Sequence, residues 1–313
     1  MLVFTTIAIV RLRSLFAIVM LSGIYSLLSA NIFIILDAVD VAFTEAAVGA
    51  GISTVLMLAT IGITGYEQKK RRTINAILPL IVVTITGAVL VYGTLDMPAF
   101  SAPNAPVHLH VAPRYITESP TEIGIPNMVT SVLASYRGYD TMGEVIVVFA
   151  ALIGVLSLIG IREPKISPNY SEVPARPILQ VMTKFMVPFI LLFALYVQFH
   201  GDFGPGGGFQ AGVIFSVAII LYTLTFSQYD GMQLAPPKLL KPLAALGVLI
   251  YGGTGVWTLF KGGDFLDYNV LSDDPVAGQH LGILLIEFGV GLTVACVMIL
   301  MFFAFISRGD KNP

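Results

Sequence analysis

Eight long apolar runs constrain this chain more than any other feature. A helix of about 20 apolar residues crosses a hydrocarbon layer of about 30 Å, whereas a barrel strand needs only about 10 residues and alternates in polarity. The runs are longer than barrel strands and lack that alternation. They lie at residues 14–36, 41–65, 74–95, 143–161, 178–199, 207–229, 242–260 and 281–306. The sequence therefore predicts an all-α, polytopic membrane protein with about eight transmembrane helices.

Charged residues are few and nearly balanced. The 313 residues are 56% hydrophobic and 12% charged, and 17 basic against 19 acidic residues leave a net charge of −2. Soluble domains carry about twice that share of charge, and no basic surface is available to bind a nucleic-acid backbone. The single cysteine, Cys296, excludes an intrachain disulfide or a cysteine-held iron–sulfur cluster. We expect no resident cofactor, no metal site and no nucleic-acid partner.

The basic residues are distributed unevenly between the two sides of the predicted bilayer. Fourteen of the 17 fall on one side, and only Arg114, Arg137 and Lys261 fall on the other. Loops rich in lysine and arginine stay in the cytoplasm. We therefore expect both termini to be cytoplasmic and the protein to pass several times through the cell membrane, with the lipid bilayer as its surroundings.

A proline-rich cytoplasmic segment divides the chain. Residues 163–177 carry four prolines, which favour an irregular connection over a helix. We interpret residues 166–177 as a linker between a four-helix region at 1–165 and a second four-helix region at 178–313.

The connection at residues 96–142 is the longest on the outer side and contains six prolines. Loops of this length without regular structure are uncommon, so we expect an irregular or partner-bound segment. His108 and His110 lie within it, but no third metal ligand stands nearby in the sequence, which disfavours a metal site.

Three carboxylates, Glu45, Glu144 and Glu287, fall in the outer halves of predicted spans. A charged group inside the bilayer costs about 2.5 to 3.5 kcal/mol or more, which favours a role in moving ions or protons. For Glu144, at the start of its run, and Glu45, one turn inside, a favourable contact with a helix dipole is an alternative. Glu287 is the deepest, and His280, seven residues earlier, lies on the same helical face.

A short acidic connection, Asp37-Ala-Val-Asp40, joins the first two spans. Asp40 is suited to cap the second helix. Together with Glu45, the two aspartates also form an acidic cluster that could concentrate cations. Both interpretations stay open, and the cap is the simpler one.

A glycine-rich segment, HGDFGPGGGFQ at 200–210, joins the fifth and sixth spans. A tight interhelical turn is one explanation. The other is non-helical backbone at membrane depth, which requires protein or a wet cavity around it, with His200 and Asp202 as proton or ion contacts. The number of glycines favours the second explanation. The segment proper consists of Gly204, Pro205, Gly206, Gly207 and Gly208.

The predicted acids reach only halfway across the membrane. No lysine or arginine lies in the middle of a predicted span, whereas a complete proton pump would carry a relay of ionisable groups across the whole layer. The pattern indicates part of an ion path, with the cytoplasmic half supplied by another protein.

Two groups of motifs resemble a known family. The runs HGDFGPGGGFQAGVIFSVAIILY and GQHLGILLIEFGVGLTV resemble the MrpB-type subunit of multisubunit sodium/proton antiporters. The runs RLRSLFAIVMLSGIYSLLSANIFIILDAVDVAFTEAAVGAG and RGYDTMGEVIVVFAALIGVLSL resemble the carboxy-terminal part of the large MrpA-type subunit. That part is similar in turn to two small membrane subunits of energy-converting hydrogenases. The resemblance covers nearly the whole chain.

The resemblance implies a fusion of the MrpA tail with MrpB. The large antiporter-like domain with its mid-membrane lysines is missing, and a full helix that the family would place before Arg11 is replaced by ten residues. The implied partners are MrpA-, MrpC- and MrpD-type and small subunits, and the implied cargo is sodium ions and protons. The resemblance also places the matching acids, Glu45, Glu144 and Glu287, and the glycine-rich segment near the ion route.

These observations lead to three functional hypotheses. The first is a subunit, not an enzyme, that contributes part of the ion or proton path of a Na⁺/H⁺ antiporter complex. The alternative is a membrane-arm subunit of an energy-converting hydrogenase-type redox complex. The third is a structural scaffold, for which neutralising the intramembrane acids would have no effect.

Overall fold

The computed structural model describes residues 1–68, 77–162 and 177–308. Within these ranges, eight helices are long and apolar enough to cross a membrane, which confirms the predicted fold class. We label them in chain order: α1 Leu15–Ile35, α2 Val39–Thr64, α3 Ile77–Thr94, α4 Gly138–Leu158, α5 Pro177–His200, α6 Gly208–Thr225, α7 Pro237–Phe260 and α8 Pro275–Ile306. The predicted start of the third span at residue 74 and all but the last residue of the predicted linker lie outside the described residues.

Three spans begin five or six residues earlier than their apolar runs predict. One is α7, which begins at Pro237 rather than at residue 242. α4 begins at Gly138 rather than at residue 143, and α8 begins at Pro275 rather than at residue 281. The start of α8 has a local cause, because the side chain of Asp274 accepts a hydrogen bond from the Val276 amide and a proline fits the first helical position. Polar residues in a first turn do not interrupt a helix, so hydropathy alone places these starts too late.

The longest helix, α8, forms the centre of the chain and packs against α4, α6 and α7. In a membrane, helices associate mainly by close packing, which small residues permit. A β-carbon placed at Gly212 of α6 would lie 2.6 Å from the carbonyl oxygen of Gly291. One placed at Gly247 of α7 would lie 2.4 Å from that of Gly289. Glycines therefore bring α8 into backbone contact with helices on two sides.

Helix α3, in contrast to α8, is not packed against other helices within the described ranges, because every one of its residues is exposed. A β-carbon placed at Gly87, in the middle of this helix, would meet no atom within 4 Å. Nothing within the described part of the chain buries its apolar side chains, so lipid or another protein must cover them.

The outer connection is more regular than the sequence analysis predicts. It contains the helices Pro106–Leu109, Val111–Glu122 and Met128–Thr130 and a π-helix, Ser131–Tyr136, so the expectation of an irregular segment is wrong for most of its length. Pro106 occupies a first helical position, where its missing amide costs nothing. Glu122 then anchors the longest of these helices, since it accepts a hydrogen bond from Tyr136 Oη and lies 3.2 Å from Arg114.

Buried hydrogen bonds join the first and second halves of the chain. Tyr251 Oη of α7 donates to the carbonyl of Gly138 at 2.7 Å, and Tyr268 Oη donates to that of Ala134 at 3.1 Å. At the other end of the bundle, the Arg308 guanidinium donates to the carbonyl of Ile159. The two halves therefore pack as one body at both ends of α4.

Candidate functional site

A cavity of about 520 Å³ lies between the two halves, at the end of the bundle that carries the glycine-rich segment. Three predicted acids line it: Asp40 from α2, Glu144 from α4 and Glu287 from α8. The glycines Gly206, Gly207 and Gly208 line it as well. The structure thus brings together residues that are up to about 250 positions apart in the sequence, which supports the interpretation of a shared site.

Glu287 lies directly beneath the glycine-rich segment. It is twelve residues from the start of α8, or about 18 Å along a helix that rises 1.5 Å per residue. A β-carbon placed at Gly207 would lie 3.1 Å from Glu287 Oε1, and one placed at Gly201 would lie 3.2 Å from Oε2. Gly207 also has a φ of +113°, which side-chain-bearing residues rarely adopt. Glycine is needed here so that the backbone can approach the carboxylate.

Residues of the outer connection hold the glycine-rich segment in place. Asn127 Nδ2 donates to the carbonyls of Gly201 at 3.0 Å and Gly204 at 2.9 Å. Thr130 Oγ1 donates to the Gly201 carbonyl at 2.6 Å. The backbone between α5 and α6 is therefore non-helical, and protein side chains bond to its carbonyls at Gly201 and Gly204. Its depth in the membrane stays a prediction.

Asp40 has a different role from the predicted cap. Helix α2 begins at Val39, its cap residue is Ala38, and Asp40 stands within the first turn, so the N-cap interpretation is wrong. One Asp40 carboxylate oxygen instead accepts from the Gly206 amide at 3.4 Å and from Asn127 Nδ2 at 3.5 Å. Asp37 is exposed in the turn before α2, with a φ of +62°, and does not line the cavity.

A second cavity, of about 250 Å³, lies on the other side of Glu287, between α5 and α8. Asp202 and Gln198 line it, and so does Glu287, which therefore borders both cavities. His280 and Asp202, each predicted separately as an ion or proton contact, lie close together here, since His280 Nδ1 is 3.6 Å from Asp202 Oδ2. The sequence analysis did not predict this pair. Burial raises the pKa of the Asp202 carboxyl, and the nearby His280 partly opposes this shift.

Glu144 lies deeper in its helix than the sequence analysis assumes. Because α4 begins at Gly138, Glu144 is nearly two turns inside the helix, and the interpretation as a first-turn residue stabilised by the dipole is wrong. Its side chain is exposed in this chain although it stands on a membrane-spanning helix. It lies at the open side of the larger cavity.

Glu45 occupies a separate place. It begins a π-helix, Glu45–Ile52, within α2, and such segments are frequent at functional sites. A β-carbon placed at Gly49 would lie 2.7 Å from Glu45 Oε1 and 2.6 Å from Ser26 Oγ of α1. The carboxylate therefore sits in the crevice between α1 and α2. Farther along this crevice, Thr54 Oγ1 is buried without a hydrogen-bond partner among the described residues.

His200 and Pro205 do not join the site. The His200 ring stacks on Tyr196, with ring centroids 4.9 Å apart, and neither His200 nor Pro205 lines the two cavities.

Four polar residues of the site were missed by the sequence analysis. They are Asn127, Thr130, Gln198 and Gln210. The Gln210 side chain donates from Nε2 to Thr44 Oγ1 at 2.7 Å. Two glutamines inside apolar runs are a detectable signal, since polar residues within spans usually face the bundle interior. For Asn127 and Thr130 no sequence signal links the outer connection to a loop more than 70 residues later.

The eight-helix fold defines a polytopic membrane protein, in which three acids line one cavity. Comparisons with known proteins give the family. The domain related to the MnhB subunit of Na⁺/H⁺ antiporters matches residues 178–300. A protein of Staphylococcus haemolyticus named as an antiporter subunit, mnhB2, is 35% identical over 130 residues, which are 41% of this chain and 92% of the relative. The chain therefore belongs to the family of MnhB-type Na⁺/H⁺ antiporter subunits and is a membrane subunit of that type.

The first half of the chain matches other families. MbhD and MbhE, each described as a subunit of MBH, match residues 1–65 and 70–173 respectively. In the structure of the Mrp complex from Dietzia sp. DQ12-45-1b, one chain superposes on 99% of this chain with a TM-score of 0.75 and 25% identity. This chain spans about a third, 34%, of that longer chain. The fusion of an MrpA-type tail with MrpB is consistent with these matches.

A structure of the membrane-bound sulfane sulfur reductase, an archaeal respiratory membrane complex, is also similar. One of its chains matches 74% of this chain and is covered over 99% of its own length, with a TM-score of 0.55 and 26% identity.

Proposed function

We propose that this protein contributes part of the ion or proton path of a multisubunit Na⁺/H⁺ antiporter, and that Glu287 is the central group of that path. The observation that carries the proposal is the position of Glu287 between two cavities, one lined by Asp202 and the other by Asp40 and Glu144. A carboxylate in this position can take a proton or cation from one cavity and release it to the other. The protein acts within a complex and is not itself an enzyme.

The order of groups defines the proposed route. His280 and Asp202 pair near the start of α8, and Asp202 borders the smaller cavity. Glu287 follows, and the larger cavity then leads to Asp40 and Glu144. The polar crevice that holds Glu45 and Ser26 is a separate location for a second protonatable group. The route runs along one end of the bundle, so other subunits complete the crossing.

The proposed orientation and cellular location follow from the basic residues. Both termini are cytoplasmic and the complex lies in the cell membrane, because 14 of the 17 basic residues fall on one side of the spans. The Glu287 site then lies near the outer surface. Each charge that crosses 100 mV gains about 2.3 kcal/mol, so protons moving inward can drive sodium outward. MrpA-, MrpC- and MrpD-type and small subunits are the proposed partners.

The proposed organisation has two modules. The first, at 1–165, is MrpA-tail-like, and the second, at 178–313, is MrpB-like, with a cytoplasmic linker at 166–177. The ranges of the family matches support this division, since one family ends at residue 173 and the next begins at 178.

The first test replaces the central carboxylate by its neutral isostere. We expect Glu287→Gln to abolish Na⁺/H⁺ exchange in everted membrane vesicles, because the amide cannot take up a proton or balance a cation. The matched control is Glu118→Gln, which neutralises an exposed glutamate on the outer connection and should leave exchange unchanged. Full exchange by the Glu287 variant at normal subunit levels would reject the proposed path and favour a scaffold.

A second candidate function is supported by the matches to MBH subunits and to the sulfane sulfur reductase complex. Under this alternative, the chain belongs to the membrane arm of a redox complex whose cofactors lie on other chains. Purification of the intact complex in mild detergent, followed by protein identification and iron and nickel assays, distinguishes the two. Antiporter-like subunits without metal support the antiporter, and metal-bearing subunits support the redox complex.

A further inference from the structure

The larger cavity is open on one side, and that side is unusual for a membrane protein. Glu144 is exposed there, although it stands nearly two turns inside a membrane-spanning helix. Ionisable residues within spans almost always face the bundle interior or a water-filled cavity and are paired. The exposed carboxylate therefore indicates that this side is covered in the assembled protein.

Apolar side chains surround the opening. Val41 of α2, Val129 and Leu133 of the outer connection and Val147 of α4 line the cavity and are all exposed in this chain. Val147, one turn from Glu144, is 68% exposed. This border of branched aliphatic residues is suited to pack against another helix, while lipid tails alone would leave the acid without a polar partner.

The charges of the cavity are all of one sign. Asp40, Glu144 and Glu287 contribute three carboxylates, and no lysine, arginine or histidine lines the cavity in the part of the chain that the structure describes. Asp40 accepts hydrogen bonds from Gly206 and Asn127. Glu144 accepts none within the same ranges. A group that covers the opening should therefore bring a positive charge to Glu144.

We infer that a membrane-spanning helix of a partner subunit closes this cavity and places a lysine or arginine side chain against Glu144. The inference rests on the proposed function only in treating the chain as one subunit of a complex. It adds the surface of contact, the apolar border around Glu144, and the chemistry of the partner. The partner helix that carries this basic group would also separate the cavity from lipid.

Site-specific photo-crosslinking in the intact complex tests the contact. A photoreactive amino acid at Val147 should crosslink, in native membranes, to a peptide from a predicted span of another subunit. Mass spectrometry should show a lysine or arginine within one helical turn of the crosslinked position. The matched control is Leu192 of α5, which is 67% exposed and does not line the cavity, and should not crosslink to that peptide. Crosslinks from Val147 to lipid only, or to a span without a basic residue, would overturn the inference.

A double-mutant cycle tests the charge pair. Glu144→Gln should lower recovery of the partner in a pull-down by at least a factor of about ten, since loss of one partner of a buried charge pair costs more than the roughly 1.4 kcal/mol that corresponds to this factor. Neutralising the identified basic residue of the partner should do the same, and the two changes together should do no more than either alone. Additive losses would refute the pair. Because both readouts report contact rather than transport, they stay valid even if Glu287→Gln leaves exchange intact.

Discussion

Helices α8 and α3 have similar apolar sequences but opposite surroundings. α8 is buried along most of its length, with Ile286 and Phe303 fully inaccessible. α3 has no buried residue. Both helices are therefore hydrophobic enough to lie in the membrane. Hydrophobicity alone does not determine which of them packs against other helices of its own chain. The difference comes from small residues at the right positions, since the glycines of α6, α7 and α8 meet at contacts closer than any side chain would allow.

The largest expected effect comes from removing that close packing. Gly212→Leu would drive α6 away from α8, because even a β-carbon would lie 2.6 Å from the Gly291 carbonyl oxygen. Overpacking costs about 1–3 kcal/mol and sometimes more, so we expect most of the subunit to be lost from membranes by immunoblot. Gly87→Leu in α3 is the matched control, with no atom within 4 Å, and should leave the level unchanged in a strain that lacks the partner subunits. Equal losses from both variants would mean that α3 also packs within the chain.

An intermediate effect is expected from a substitution at Asn127, where the outer connection holds the glycine-rich segment. Asn127→Ala removes the donor to the carbonyls of Gly201 and Gly204. The Gly201 carbonyl keeps its bond from Thr130, so the Gly204 carbonyl is the one left unpaired, which costs about 1–3 kcal/mol. We expect faster proteolysis of the glycine-rich segment and reduced exchange. Asn31→Ala is the control, because the Asn31 side chain is exposed and, within residues 1–68, 77–162 and 177–308, bonds only to the Leu27 carbonyl of its own helix. If the two variants are cut at the same rate, the anchoring of the segment by Asn127 is wrong.

The smallest effect concerns pH. The native pKa of Asp202 is raised by burial and partly lowered by His280, so its protonated form favours the fold. This stability is fully present below the unfolded pKa and is lost as pH rises through the native pKa. His280→Gln removes the opposing charge and should raise the pKa of Asp202 further.

We therefore expect the melting temperature of the His280→Gln complex to fall more steeply with rising pH than that of the wild type. The steeper fall should disappear when Asp202→Asn is added, because no titrating carboxyl then remains at this position. Parallel curves for the single variant and the wild type would show that His280 and Asp202 are not coupled.

The fold and several site residues could be predicted from the sequence. Hydropathy and the free-energy cost of placing a charge inside the membrane both depend on the local sequence. The eight spans required only the length of the apolar runs. The cost of a charge inside a span singled out Glu287, which lines both cavities; its role in ion movement stays a prediction. The start of α4 could not be predicted in this way, since Gly138, Asp140 and Thr141 interrupt the apolar pattern and are nevertheless helical. That error made Glu144 a first-turn residue.

Long-range polar contacts could not be predicted from the sequence for a different reason. An aspartate beside a helix start favours a cap, but α2 already begins at Val39, and the Asp40 carboxylate accepts instead from the Gly206 amide, 166 residues away. Asn127 and Thr130 likewise find their acceptors only after α5 and the outer connection come together. Such hydrogen-bond partners depend on tertiary packing, which a local sequence pattern does not reveal.

The π-helix at Glu45–Ile52 changes how α2 must be compared with other sequences. A π-turn holds one residue more than an α-turn, and each residue of an α-helix advances by about 100°. A helical wheel drawn through α2 as continuous α-helix therefore rotates everything after Ile52 by about 100° for each extra residue. A homologue with one residue fewer in this stretch would keep both ends of the helix on their present faces while converting the π-turn to α-helix. Gaps at this point of an alignment are thus conformational markers rather than errors, and the crevice beside Glu45 would be reshaped wherever one occurs.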